Sequence, residues 1–235
     1  MATPFGWFLK LSPRKRRGWP RSATPTTDMK DVRFAKQVLF INSLVPLTLL
    51  LWDVYHHRAG ANPLEVVTRT TGMLTLVFLF VTLAINPVRK LFGVNWLIKF
   101  RRMVGLFAFF YGFLHLMTYV WFDRFFNLKS AARDVVARPF LAVGMTAFFL
   151  MIPLAITSTN KMVKRLGGKR WNLLHKLIYL SGIAGALHYW MLVKSATRLP
   201  LTFAFVLGLL LAFRLLIKYY GQPGKLASNS IVPRR

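Results

Sequence analysis

The chain contains no cysteine, and only six acidic residues stand against 33 lysines and arginines. Without thiols there is no disulfide, no iron–sulfur cluster and no thiolate metal ligand. That absence carries no information about compartment. The few carboxylates form no pair at a spacing suited to acid–base catalysis, and Asp53 and Asp123 stand singly at the ends of apolar runs. No serine-nucleophile motif, phosphate-cradling glycine loop or dinucleotide fingerprint occurs; Gly167-Gly168 is too short to count. Nicotinamide chemistry would have to come from another protein.

Apolar residues are what the chain has in quantity. Of 235 residues, 55% are hydrophobic, and the mean hydropathy is +0.44. That is the composition of an integral membrane protein. A net charge of +27 can signal nucleic-acid binding. Here the basic residues punctuate apolar runs, so they read as membrane loops, with no nucleic-acid partner. A spanning helix takes ~20 mostly apolar residues. Segments 37–55, 66–86, 103–121, 139–158, 172–193 and 199–219 qualify or nearly do. The expected fold is an all-α membrane protein, a six-helix transmembrane bundle. Pro46 and Pro153 fall inside spans, where neighbouring helices can cover the freed carbonyls. Trp52, Trp121, Trp171 and Trp190 lie near span ends, as interfacial aromatics do.

Charge sets the orientation. Nine lysines and arginines lie in residues 1–36, five in 87–102, five in 159–171 and four after 217. The opposite loops and their flanks hold eight. Positive residues stay inside, so both termini are expected in the cytoplasm. Residues 1–36 read as a basic arm near anionic lipid, with Arg14, Lys15, Arg16 and Arg17 in a row and Pro13, Pro20 and Pro25 breaking any long helix. The first long apolar run starts near Val38, which is unlike a secretory signal. Residues 37–220 would form the transmembrane domain, and 221–235 a cytoplasmic tail.

The stretch Trp171–Trp190 carries His175 and His188 inside an apolar run. Ionisable side chains at membrane depth are costly and mark functional sites. A partner stands on another span, His115. At 1.5 Å per residue, His115 lies about 9 Å and His188 about 8 Å from the outer ends of their helices. The two therefore share a level, and two opposed imidazoles without thiolates suggest the axial ligands of a haem iron. Gly112-Phe113-Leu114-His115 and Gly185-Ala186-Leu187-His188 each place glycine three residues before histidine, on one helix face. The gap could admit a flat ring or a close backbone; equally, small residues simply let membrane helices pack. His175 lies near the inner end, rotated ~220° from His188 on a straight helix. It faces another neighbour or serves a second cofactor, and at its depth stand Arg101 and Arg102, which could pair with an anionic group. His56 and His57 read as solvated loop histidines. The basic loop 159–171 is either a docking surface or a topology signal.

Several stretches resemble one family. Arg101-Arg102-Met103-Val104-Gly105-Leu106 leading to His115, Gly167-Gly168-Lys169-Arg170-Trp171-Asn172-Leu173-Leu174-His175 and His188-Tyr189-Trp190 are similar to the MsrQ (YedZ) family. So are Pro63-Leu64-Glu65 with Arg69-Thr70-Thr71-Gly72, and Ile85-Asn86-Pro87-Val88-Arg89. The likeness runs from about 35 to about 220, leaving the basic arm outside. These are haem-binding membrane subunits of the MsrPQ protein-methionine-sulfoxide reductase system. The resemblance implies a ferric-reductase-like domain in the bacterial inner membrane, binding haem b and described as binding FMN. It implies electrons taken from the quinone pool or a cytoplasmic flavin reductase and passed to the periplasmic molybdopterin subunit MsrP. The chain would be an electron-transfer subunit and not the catalytic one. The family's histidines fall on His115, His175 and His188, which leaves one or two haems open. The alternatives are a ferric-reductase-like metal reductase, and a non-redox transporter or scaffold whose histidines relay protons.

Overall fold

The computed structural model describes residues 29–193 and 198–220. The expected basic arm falls outside the described residues up to position 28, and the expected tail 221–235 lies wholly outside them. Among the described residues every regular element is helical: α1 Met29–Tyr55, α2 Pro63–Phe92, α3 Arg101–Thr118, α4 Leu128–Ala137, α5 Pro139–Ile156, α6 Asn160–Leu174, α7 Leu177–Leu192 and α8 Arg198–Tyr220. A short 3-10 turn, Asn95–Lys99, leads into α3, and a π turn, Tyr119–Asp123, leaves it.

Local chemistry sets the helix ends. The Asn62 side chain accepts from the Glu65 N–H at 3.2 Å, and Pro63 begins α2 with its φ already set. Gly93 ends α2 at φ 69°, a left-handed stop that a side chain disfavours. Asn127 caps α4 and Thr159 caps α6 in the same manner, and Pro139 opens α5.

Among the described residues five helices are long and apolar enough to cross a membrane: Asp31–Tyr55, Pro63–Phe92, Arg101–Phe122, Pro139–Ile156 and Arg198–Ile217. The chain is a multi-pass membrane protein. The segment expected to span from 172 to 193 is not one helix. It breaks at His175 and Lys176, and its apolar part, α7, has 16 residues. The cause is local. The Trp171 carbonyl receives both the backbone N–H and the ring Nδ1 of His175, at 3.0 and 3.1 Å. The next bonds, Lys176 N to Leu173 O and Tyr179 N to Lys176 O, tighten to three-residue turns. Asn172, His175 and Lys176 lower the hydropathy at the break, but the leucines between them and the apolar run that follows let the stretch pass as one span.

The expected inner loop 159–171 is also helical. It forms most of α6, whose two halves meet at Gly167 (φ 72°, ψ 152°). The other expected inner loop is largely helix too: Arg89 and Lys90 ride the last turn of α2, and Arg101 and Arg102 open α3. The expected outer loop after α3 carries α4. Trp52, Trp121 and Trp190 are exposed as interfacial aromatics should be. Trp171 is instead half-buried, its indole N–H donating to the Thr157 carbonyl at 2.9 Å.

α2 is the central helix. In its most apolar window 39% of residues are buried, against 11% for α1, α5 and α8. Its Leu76, Leu79, Phe80 and Leu83 form the core with Ala108 of α3, Met151 and Leu154 of α5, Ile178 of α7 and Leu207 of α8. Two close pairs, α2 with α3 and α5 with α7, make the frame of the site.

Candidate metal centre

His115 lies on α3 and His188 on α7, the later helix of each pair. Their ring centres are 6.2 Å apart, with planes at 72°. An ion set midway, with metal–nitrogen bonds of about 2 Å, separates two imidazole centres by about 6 Å. The two rings therefore stand where one metal ion could take a nitrogen from each.

Each ring is oriented by backbone. His115 Nδ1 lies 2.9 Å from the Thr68 carbonyl of α2, and His188 Nδ1 lies 2.7 Å from the Phe140 carbonyl of α5. A carbonyl only accepts, so each Nδ1 carries the proton and each Nε2 keeps its lone pair. That is the arrangement that tunes metal-ligating histidines elsewhere. Thr68 and Thr118 hydroxyls meet at 3.3 Å and tie α2 to α3 just beside His115.

Both rings border a cavity of about 570 Å³, walled by Leu76, Met151, Phe148, Gly112 and Gly185 among others. This volume suits a cofactor-sized group. Its walls are mostly apolar; the exceptions are the imidazoles, Arg69 and several hydroxyls such as that of Ser181, which donates to the Ala147 carbonyl at 2.9 Å. Among the described residues no group of three or more His, Cys, Asp or Glu side chains could hold a metal ion. The donor set is two imidazoles, which suits a metal already held in a flat macrocycle better than a bare ion.

His175 is not brought to this pair. It lines a separate cavity of about 60 Å³ with Arg101, Arg102, Ser158 and Trp171. That is room for about two waters. Its ring stacks on Trp171 at 3.8 Å, and its Nε2 is buried with no partner. Arg102 reaches over Trp171 at 5.6 Å and donates to Asn160 Oδ1 at 2.5 Å. Leu79 and Met151 border both cavities. His56 and His57 are exposed at the end of α1, as read from the sequence.

The glycines expected beside the imidazoles are not the ones that touch them. A Cβ on Gly112 would meet Met151, Thr75 and Phe148, and one on Gly185 would meet Leu76. The rings lie instead against Gly72 and Gly144, on the opposite helices. The sequence offered little to find them: an isolated glycine in an apolar helix, and acceptors that are backbone carbonyls without residue identity. Arg214, on α8, was also passed over; its guanidinium sits 4.5 Å above the Tyr179 ring.

Comparison with known proteins places this geometry. The chain is 52% identical, over 76% of its length and 83% of theirs, to a protein-methionine-sulfoxide reductase heme-binding subunit MsrQ from Herminiimonas arsenicoxydans. The chain belongs to the MsrQ family. Proteins of the same name from Azospira oryzae and Ralstonia nicotianae are 48% and 52% identical, over 76% and 72% of this chain and 77% and 76% of their own. The family model described as "Ferric reductase like transmembrane component" matches residues 69–186. Within this MsrQ-family chain the match takes in His115 and His175, both close helix pairs except the ends of α2 and α7, and stops just short of His188.

Proposed function

We propose that this chain is the haem b-containing transmembrane electron-transfer subunit of a protein-methionine-sulfoxide reductase system. The observation that carries the reading is the His115–His188 pair, 6.2 Å between ring centres across a cavity of about 570 Å³. The names of the MsrQ relatives, heme-binding subunits, support haem as the group. His115 and His188 would hold it through their Nε2 nitrogens. Haem so held supplies a one-electron iron couple.

The protein's own residues do the rest. The Thr68 and Phe140 carbonyls hold the Nδ1 protons and turn both Nε2 atoms to the metal's use. Leu76, Phe148 and Met151 keep water out and the dielectric low. His175 assists a redox step on the inner side, beside Arg101 and Arg102. We read six crossings, α7 being the short sixth, with both termini cytoplasmic in a bacterial inner membrane. Electrons then enter from the quinone pool or a cytoplasmic flavin reductase and leave to the periplasmic molybdopterin partner MsrP. FMN belongs to this reading through resemblance alone, with no residue assigned to it.

Absorption spectroscopy of the purified protein tests the reading. The wild type should be red, with a low-spin Soret band that shifts on reduction by dithionite. His115→Ala and His188→Ala should each lose the low-spin spectrum. His175→Ala should keep it and slow electron entry. A colourless, iron-free preparation that still supports sulfoxide reduction would end the proposal, as would a normal low-spin spectrum in His188→Ala. The ferric-reductase description of the matching family favours a second reading, a metal-ion reductase. It is separated by asking whether ferric chelates or the periplasmic partner draw the electrons.

A further inference from the structure

We infer that Gly72 and Gly144 are positioning residues: each is a seat cut into a helix so that a histidine of the neighbouring helix can reach a buried backbone carbonyl. The inference deepens the proposed haem reading, but its first test does not need haem.

The two histidines are held in the same way on different helix pairs. On α2 the acceptor is the carbonyl of Thr68 and the glycine is Gly72. On α5 the acceptor is the carbonyl of Phe140 and the glycine is Gly144. In both cases the glycine follows the acceptor by four residues, one helical turn.

Helix geometry explains the spacing. A carbonyl inside a helix already accepts the N–H four residues on, which leaves its second lone pair for a side chain. At Thr68 the ring shares it with the Thr71 hydroxyl, 3.1 Å away. Side chains lean toward the helix N-terminus and cover the turn before their own Cα. The side chain at position 72 would therefore lie over the Thr68 carbonyl, and the one at 144 over the Phe140 carbonyl. Glycine at those positions uncovers the oxygen.

The distances agree. A Cβ on Gly144 would stand 2.7 Å from His188 Nδ1 and 2.8 Å from its Cε1. A Cβ on Gly72 would stand 3.0 Å from both Nδ1 and Cε1 of His115. Beside a methyl group the His188 ring would have to shift off its hydrogen bond, and the His115 ring would have to give by a few tenths of an ångström. Tight packing also occurs elsewhere: a Cβ on Gly185 would stand 3.0 Å from Leu76 and one on Gly112 would stand 3.1 Å from Met151. Those are ends of flexible side chains, whereas at Gly72 and Gly144 the atoms met belong to rings bonded to the carbonyl one turn before. On the same helix as His188, a Cβ on Gly182 would make ordinary contacts at 3.5 Å with Leu83 and 3.6 Å with Leu207, and Gly208 of α8 faces open space.

The seats give the protein a way to fix which ring nitrogen is protonated with backbone oxygens as the acceptors. They also rank the two sites, since the Gly144 seat is tighter than the Gly72 seat.

Nitrogen NMR of the haem-free full-length protein, with ¹⁵N-labelled histidine, is the first measurement. Both His115 and His188 should be protonated at Nδ1; protonation at Nε2 in either one overturns the proposal. The second measurement is the haem-loaded spectrum and midpoint potential of Gly144→Ala and Gly72→Ala. Loss of an orienting partner typically costs tenfold or more in metal affinity. Gly144→Ala should therefore bind haem about tenfold more weakly and lose its low-spin signature. Gly72→Ala should keep haem with a displaced potential. Gly182→Ala and Gly208→Ala should match the wild type in both readouts. Unchanged spectrum and potential in Gly72→Ala and Gly144→Ala, or equal losses in the two control variants, would overturn the assignment. If Gly144→Ala does not fold, Gly72→Ala and the tautomer measurement decide. A wild type that never binds haem but has both rings protonated at Nδ1 would defeat the haem reading and leave the seats standing.

Discussion

Tyr111 shows how a single polar atom can position a whole helix. Its side chain is fully buried on α3, its ring stacks on Phe78 at 5.3 Å, and its hydroxyl donates to the Ser43 carbonyl of α1 at 2.6 Å. The peripheral helix α1 otherwise touches the body through contacts such as Phe40 on Phe107 and Leu39 on the Ile85–Phe100–Val104 cluster. Tyr111→Phe keeps the stacking and removes the bond. A loss of about 1 kcal/mol is expected, more if the carbonyl finds no other donor. Unfolding in mixed detergent should register it, while the haem spectrum stays unchanged because Tyr111 does not border the histidine cavity. The histidines themselves were legible in the sequence, since an ionisable ring in an apolar run is conspicuous. Gly72 and Gly144 were not, because nothing in a lone glycine says which ring will lie on it.

At the level of elements, the connection after α3 is held by one carboxylate. Asp134 of α4 pairs with Arg124, accepts the Tyr119 hydroxyl at 3.2 Å and has Arg138 at 4.0 Å. Phe125 and Phe126 between them have φ of 45° and 58°, left-handed values that bulky residues disfavour. The Asp134 contacts hold this turn closed against its own backbone. Asp134→Asn should cost about 2 kcal/mol. Hydrogen exchange should then quicken across 119–137 and not along α2. Long apolar helices were readable from hydropathy and length. The helices α4 and α6 were not, because they are polar or mixed and owe their ends to caps and to packing. The break at His175 escaped for another reason: it shows in the three-residue turns at Lys176 and Tyr179, beside a ring nitrogen on the Trp171 carbonyl, and not in the leucine-rich pattern on either side.

For the molecule as a whole, charge and thickness meet in α7. Its 16 residues span about 24 Å, short of a hydrocarbon core of about 30 Å. Local thinning of the bilayer or help from flanking residues can close such a gap. Reporter fusions test whether it does. With six crossings, a fluorescent protein fused after Arg235 should glow and alkaline phosphatase at the same place should stay inactive. The reverse would mean that one helix fails to cross, and would move the C-terminus to the other side.

Composition and hydropathy already determined that this is a helical membrane protein, and they made three histidines in apolar runs conspicuous. Those properties add up along the chain and need no knowledge of neighbours. Only the tertiary structure decided that His115 meets His188 at 6.2 Å, that His175 stands apart, and that Gly72 and Gly144 receive the rings. These depend on the register of helices far apart in sequence and on backbone carbonyls, which are chemically alike at every position until packing exposes one of them.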